Sequence, residues 1–195
     1  MHIIGGEYRR RRLTMPTCGS TRPTSSQVRE AVFNICQSFI QEAVFLDLFA
    51  GSGAMGLEAL SRGAQFVTFV EIDKEAIHCI EKNIETLGVQ KQTEVLKGDV
   101  FAILKRLEKQ HKQYSIIYAD PPYRMQIPIS NSYYSLEVIQ WIDQHDILIP
   151  EGSFFVEEDF RLELEINNLY HSQFMSARRF GQTILQHYQR KSFVL

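Results

Sequence analysis

The sequence predicts a doubly wound α/β fold, a mostly parallel sheet with helices on both faces, and three observations carry that prediction. Short apolar runs alternate with segments of helical period through most of the chain. The stretch Gly51-Ser52-Gly53-Ala54-Met55-Gly56, a G-x-G-x-x-G pattern, follows one apolar run and opens a helical segment. Asp120-Pro121-Pro122-Tyr123 follows another, at the kind of strand end where open α/β sheets bind ligands.

Taken in order, Pro23-Thr24-Ser25-Ser26 supplies capping residues, and Val28, Ala31, Val32, Ile35, Cys36 and Phe39 then recur at helical spacing. Val44 to Phe49 is a buried-strand run, and Ala54 to Ser61 is helical. Phe66 to Glu71 forms the next strand; Asp73 caps a helix that runs to Leu87 and stops at Gly88. Thr93 to Leu96 is a short strand, Asp99 to Lys109 a helix, Ser115 to Ala119 a strand, Tyr133 to His145 a helix and Ser153 to Glu157 a strand. Parallel neighbours need crossovers, and crossovers are helical and right-handed, so the alternation implies helices on both faces. Beyond it, Leu162, Leu164 and Ile166 alternate with Glu163 and Glu165, and Ile184, Gln186, Tyr188 and Arg190 follow a second strand-like run. These two predict an antiparallel edge pair. Residues 1–25 are expected to form a basic arm or small hairpin, and residues 26–195 a single domain.

Composition excludes several classes. With 44% hydrophobic and 23% charged residues, the chain is an ordinary globular domain rather than a disordered or repetitive one. No window approaches the roughly 18 apolar residues of a membrane span, and Arg9 to Arg12 lacks the hydrophobic segment of a signal peptide, so a cytoplasmic protein with no membrane partner is expected. Cys18, Cys36 and Cys79 are widely spaced and expected to be reduced. The six histidines show no ligand spacing, which predicts no metal. Nothing in the pattern demands a dimer, and a monomer is expected.

The net charge of −2 hides a segregation. Residues 1–30 carry six arginines against Glu7 and Glu30, and residues 175–195 carry Arg178, Arg179, Arg190 and Lys191 with no acid. Basic ends on an acidic body suit a polyanion that touches only the termini, because phosphate attraction is screened within about 10 Å. A solvated arm accounts for the charge equally well.

The glycine pattern, extended back to Phe49-Ala50, allows a tight turn and close approach of a ligand to the backbone. Glu71, 20 residues beyond Gly51 at the end of the next strand, stands where an acid binds a ribose diol. A nicotinamide dinucleotide and S-adenosylmethionine both suit this geometry. Asp47 interrupts the apolar run just before the loop; it either faces a cationic sulfonium ligand or caps the loop's own amides.

The second motif is the more specific one. Its prolines fix a stiff turn, and an exocyclic amino group offers two N–H donors that the Asp120 carboxylate and the Pro121 carbonyl could accept while Tyr123 stacks on the base. Holding both hydrogens would aim the nitrogen lone pair at a methyl donor, a gain of orientation and electrostatics that needs no strong base.

These residues carry a resemblance. The chain opens with Ile3-Ile4-Gly5-Gly6 and an arginine cluster, continues with Arg22-Pro23-Thr24 and Val28-Arg29-Glu30-Ala31-Val32-Phe33-Asn34, and then has Leu46 to Gly53, Asp120 to Tyr123 and Arg179-Phe180-Gly181-Gln182-Thr183. In this order they resemble the RsmD family of bacterial small-subunit rRNA guanine-N2 methyltransferases, over essentially the whole chain. The resemblance implies a class I, Rossmann-like methyltransferase fold with a seven-stranded sheet, and S-adenosylmethionine as cofactor. It implies one guanine of 16S rRNA as acceptor, in the small ribosomal subunit or a late assembly intermediate. It implies Asp120, Pro121, Pro122 and Tyr123 as catalytic residues, and Gly51, Gly53, Glu71 and Asp99 at the cofactor, with Asp99 beside the adenine amino group; Asp47 and Phe49, just before the loop, are further candidates for the cofactor site. His2 and the uninterrupted Arg9-Arg10-Arg11-Arg12 run depart from the family pattern, which leaves the details of RNA contact there open.

Arg9, Arg10, Arg11, Arg12, Arg22, Arg29, Arg178 and Arg179 are the candidate RNA contacts; for Arg22 and Arg29, cofactor-site closure and plain helix-end solvation compete with phosphate binding. Residues 124–132 have no clear period and are expected to form a loop over the target base. A base inside a helix could not reach such a pocket, so the target is expected to be unpaired or flipped. Two other functions share these features: amino methylation of adenine in DNA, and a catalytically silent RNA-binding assembly factor.

Overall fold

Asp73 and Asp99 each accept a backbone amide three residues on, from Ala76 at 2.8 Å and Ala102 at 3.0 Å, and so start α3 (Lys74–Leu87) and α4 (Val100–Lys109). Ser25 does the same for α1 (Ser26–Ile35) through the Val28 amide. α2 (Ala54–Ser61) begins directly after the glycine loop, and α5 spans Tyr134–Gln144. Asp73 and Ser25 are among the capping residues the sequence nominates, whereas Asp99, read there as the first residue of its helix, turns out to cap it. The computed structural model describes residues 1–17, 25–127, 132–162 and 169–192. Cys18, Arg22 and the Pro23-Thr24 pair lie outside them, as does the run from Glu163 through Ile166.

The sheet holds seven strands in the order β3-β2-β1-β4-β5-β7-β6. Strands β1 (Val44–Leu48), β2 (Phe66–Glu71), β3 (Thr93–Lys97), β4 (Tyr114–Ala119) and β5 (Leu148–Asp159) pair in parallel. β7 (Thr183–Arg190) runs antiparallel to β5, and β6 (Ser172–Phe180) antiparallel to β7. The order reverses beside β1, between β2 and β4, which is the switch point where such sheets place their ligand crevice. Helices cover both faces. On one, α1, α2 and α3 pack through residues such as Val32, Leu57 and Ile80 onto Phe45, Val67 and Phe69. On the other, Leu104, Leu107, Val138 and Ile142 from α4 and α5 cover Leu46, Leu48 and Ile117.

The expected antiparallel edge exists. The alternating run from Glu163 through Ile166 lies outside the described residues; the strand beside β7 is β6, Ser172–Phe180, which the sequence does not mark. Most of its side chains point to solvent, so it needs no period-two apolar pattern and leaves none in the sequence. Asp143 fixes where β6 begins, since its carboxylate accepts the amides of Tyr170, His171 and Ser172 at 2.6–3.0 Å.

The first 14 residues form a small hairpin closed by the His2–Arg12 bridge and by the Ile3 and Leu13 amides. It lies against the body: Ile3 and Leu13 are buried in the core, and Glu58 of α2, wholly buried, accepts the Ile4 and Gly5 amides at 2.7 and 2.8 Å. Among the described residues no helix is long and apolar enough to cross a membrane.

Candidate active site

The C-terminal ends of β1, β2 and β4 and the start of α4 open onto one cavity of about 650 Å³, within the range of a cofactor-sized pocket. Asp47, Phe49, Gly51, Glu71, Asp99, Asp120, Pro121, Pro122 and Tyr123 all line it, so the two sequence motifs, about 70 residues apart, meet. Gly53 does not line it. That residue caps α2 and packs toward Phe69 and Ile80, so its contribution is to the turn. Three lining residues carried no signal in the sequence: Met1, Met15 and Pro16, from the hairpin and the segment after it.

Two glycines show what the loop requires. Gly51 has φ +56° and nothing within 4 Å of where a Cβ would stand, so the backbone is bare toward the cavity. Gly56 lies where α2 crosses β2, and a Cβ there would come within 2.4 Å of the Phe69 ring and 2.6 Å of Val67. The loop is thus pressed onto the sheet from one side and open on the other.

The charged side chains of this largely apolar wall are all acidic. The Asp47 carboxylate is buried and accepts the Gly56 amide at 2.9 Å, which selects the loop-capping role for at least one of its oxygens. Burial, reinforced by the nearby Asp120 and Glu71 carboxylates, pushes the Asp47 carboxyl well above the usual range, against the pull of the Gly56 amide. Glu71 accepts the Gly51 amide at 2.8 Å on one oxygen and the Ile72 and Asp73 amides at 2.8 and 2.9 Å on the other. Asp73 and Asp99 add two more acids to the same lining. The four other carboxyl groups around the cavity, Glu71, Asp73, Asp99 and Asp120, favour a ligand that brings positive charge, and Glu71, at the end of β2 beside the glycine loop, stands where a nucleoside site has its acid.

At the second motif Pro121 is buried, Pro122 exposed and Tyr123 half-buried. The Tyr123 hydroxyl donates to Glu157 Oε2 at 3.0 Å and lies 3.0 Å from Thr183 Oγ1. Glu157 Oε1 accepts the Tyr118 hydroxyl. The next residue, Glu158, accepts the Arg124 amide at 3.1 Å and the Ser135 hydroxyl at 2.7 Å. Both acids are buried, and burial pushes the Glu157 carboxyl up to about 8. In the sequence they are marked only by an acidic run, Glu157-Glu158-Asp159, closing the apolar strand Phe154-Phe155-Val156.

Among the described residues, none of the candidate arginines lines the cavity. Arg9, Arg10, Arg11 and Arg12 are exposed on the hairpin, where Arg11 also donates to the Thr86 carbonyl at 2.9 Å. Arg178 and Arg179 are exposed on β6, with the Arg179 guanidinium 3.4 Å from the Phe160 ring centroid. Arg29 corrects the sequence expectation of RNA contact. Its side chain is only 2% exposed, donates to the His2 carbonyl at 3.2 Å and pairs with Glu58 at 3.5 Å, so it docks the hairpin onto α1 and α2. A buried acid in α2 needs a cation, and α1 supplies it.

The family model described as Conserved hypothetical protein 95 matches residues 1–189. The Escherichia coli K12 protein named ribosomal RNA small subunit methyltransferase D is 35% identical over 159 residues, covering 82% of this chain and 75% of that one. This chain belongs to the RsmD family. A Buchnera aphidicola RsmD protein is 33% identical over 151 residues, 77% of each chain. Among solved structures, a hypothetical protein of Thermus thermophilus superposes with TM-score 0.79 at 26% identity, over 96% of this chain and 98% of that one. An RNA methyltransferase of Salinibacter ruber, solved with S-adenosyl-L-homocysteine, shares the fold at TM-score 0.62 and 15% identity, over 89% and 97%. The RsmD sheet is therefore that of class I methyltransferases, with β7 inserted antiparallel between β5 and β6.

Proposed function

We propose that this chain transfers a methyl group from S-adenosylmethionine to the exocyclic N2 amine of one guanine in 16S rRNA, within the small ribosomal subunit or a late assembly intermediate. The observation that carries the reading is the meeting of an acid-lined, glycine-looped cavity with the Asp120-Pro121-Pro122-Tyr123 turn. The names of the RsmD relatives support rRNA of the small subunit as the polymer.

The residues present suit this cofactor. Gly51 offers bare backbone, and Glu71 and Asp99 line the same cavity as acceptors suited to a ribose diol and an adenine amino group. When bound, the cofactor supplies an electrophilic methyl group on a sulfonium centre. Asp120 and the Pro121 carbonyl accept the two amine hydrogens and orient the nitrogen lone pair. Tyr123 stacks on the flipped base, a contact worth roughly 1–3 kcal/mol. Arg9 to Arg12, with Arg178 and Arg179, provide exposed positive charge for phosphate.

The test is transfer of a labelled methyl group to unmodified small subunits, with naked 16S rRNA, tRNA and duplex DNA in parallel, followed by nucleoside analysis. N2-methylguanosine on the subunits is the expected product. Methyladenine in DNA would replace the reading with adenine methylation, and cofactor binding without transfer to any substrate would replace it with an assembly factor.

A further inference from the structure

Glu157 stands outside the chemistry just described, yet it is only 2% exposed and its two carboxyl oxygens are divided between two tyrosines of the cavity wall. Oε1 accepts the Tyr118 hydroxyl and Oε2 the Tyr123 hydroxyl, and Thr183 of β7 completes the group at 3.0 Å from the latter. Neither Glu157 nor Thr183 lines the cavity; they support it from behind. Strand alternation places these contacts. Glu157 has the parity of Phe155, on the α1–α3 face with Tyr118, whereas Glu158 has that of Val156, on the α5 face, where it meets Ser135. Consecutive acids at the end of β5 therefore take the two sides of one turn, Glu157 holding the Tyr123 hydroxyl and Glu158 the Arg124 amide.

A buried carboxyl is costly unless its acceptors are used, and an apolar side chain would fill the same space. What an apolar residue could not do is fix the far end of the Tyr123 ring. The prolines fix the backbone before Tyr123, which leaves two side-chain torsions to be set, and a hydroxyl anchored at 3.0 Å to two partners sets them.

We propose that Glu157 is a positioning residue for methyl transfer, holding the Tyr123 ring in the plane on which the acceptor base stacks, with Thr183 as its second anchor. This rests on the reading of Tyr123 as the stacking residue.

The experiment is a double-mutant cycle between Glu157→Leu and Tyr123→Phe, measuring kcat and KM on unmodified small subunits and the dissociation constant of S-adenosylmethionine. Each single variant is expected to lower kcat about tenfold, with cofactor affinity held within about twofold. The double variant is expected to be no slower than the worse single one, because both remove the same anchor. Glu157→Gln, which keeps an acceptor oxygen, is expected to recover most of kcat. Thr183→Val paired with Tyr123→Phe reads the same coupling if Glu157→Leu does not fold. Additive losses, an equal loss of cofactor affinity, or an unchanged kcat in Glu157→Leu would overturn the positioning role. A wild-type protein that methylates none of the substrates would instead overturn the function on which it rests.

Discussion

The Glu71 carboxylate, at the end of β2, holds the Gly51 amide of the neighbouring β1–α2 loop at 2.8 Å, so the acid expected to bind a ribose also fastens the glycine turn beside it. Its other oxygen takes the Ile72 and Asp73 amides and fixes the entry to α3. Removing this side chain both deletes a ligand contact and frees the turn. Glu71→Ala is expected to weaken S-adenosylmethionine binding roughly 10–100-fold, the size of one or two charged hydrogen bonds. Glu71→Gln, which keeps an acceptor for Gly51, should lose less. Titration calorimetry on the three proteins checks the order, and equal affinity of Glu71→Ala and wild type would remove Glu71 from the cofactor site.

Asp120 is expected to behave in the opposite way. It lines the cavity at the end of β4, where its carboxylate would meet the acceptor amine. Asp120→Ala should leave cofactor affinity nearly intact and lower kcat by about 10²–10³ or more, since it removes an interaction that orients charge in the transition state. Single-turnover methyl transfer alongside cofactor binding separates the two effects. Wild-type rates in Asp120→Ala would sink the assignment.

How much of this was legible depended on whether a side chain answers to its sequence neighbours. The cap Asp73, the Gly51–Gly56 loop and the turn at Asp120 are local devices, and they stand where the sequence placed them. β6 leaves no mark in the sequence, because an exposed edge strand needs no apolar period. Arg29 reads as an RNA contact because its partner, Glu58, is 29 residues away and has no local signature. Glu157 and Glu158 hid inside a strand whose period reads as core, and the segment at Met15 and Pro16 reached the cavity through a tertiary contact.

That contact is Asn83. From α3 its amide nitrogen donates to the Ser52 carbonyl of the glycine loop and to the Thr14 carbonyl, both at 3.0 Å, while its oxygen accepts the Thr14 amide at 2.7 Å. One buried side chain ties the segment after the arginine hairpin to the cofactor loop. Asn83→Ala leaves three backbone groups without this partner, and a loss of about 1–3 kcal/mol in stability is expected. Cofactor affinity should fall with it, because Met15 and Pro16 no longer hold their side of the cavity. Chemical denaturation and calorimetry measure the two losses; unchanged affinity in Asn83→Ala would show that the segment is not part of the cofactor wall.

Two buried groups make stability depend on pH with opposite signs. His187, stacked on Phe155 with ring centroids 4.5 Å apart, is pushed down by burial to about 4 from an ordinary 6.5, with Arg178 adding to the effect. The unfolded chain therefore binds the proton first, and stability is lost as pH falls from about 6.5 toward 4. Glu157 is pushed up by burial to about 8 from an ordinary 4.5, so the folded chain keeps a proton that the unfolded chain has released, and stability falls as pH rises between those values. The windows overlap only below about 6.5. Between pH 6.5 and 8 the His187 contribution is constant and the slope belongs to Glu157, with an expected loss of roughly 1–2 kcal/mol, or about 2–8 °C in thermal midpoint. Glu157→Gln, which cannot ionise, should flatten that part of the curve and leave the acid limb in place. A wild-type midpoint that stays level from about pH 6.5 to 8 would mean that the Tyr118 and Tyr123 hydroxyls and Thr183 stabilise the Glu157 anion enough to cancel the cost of burying it.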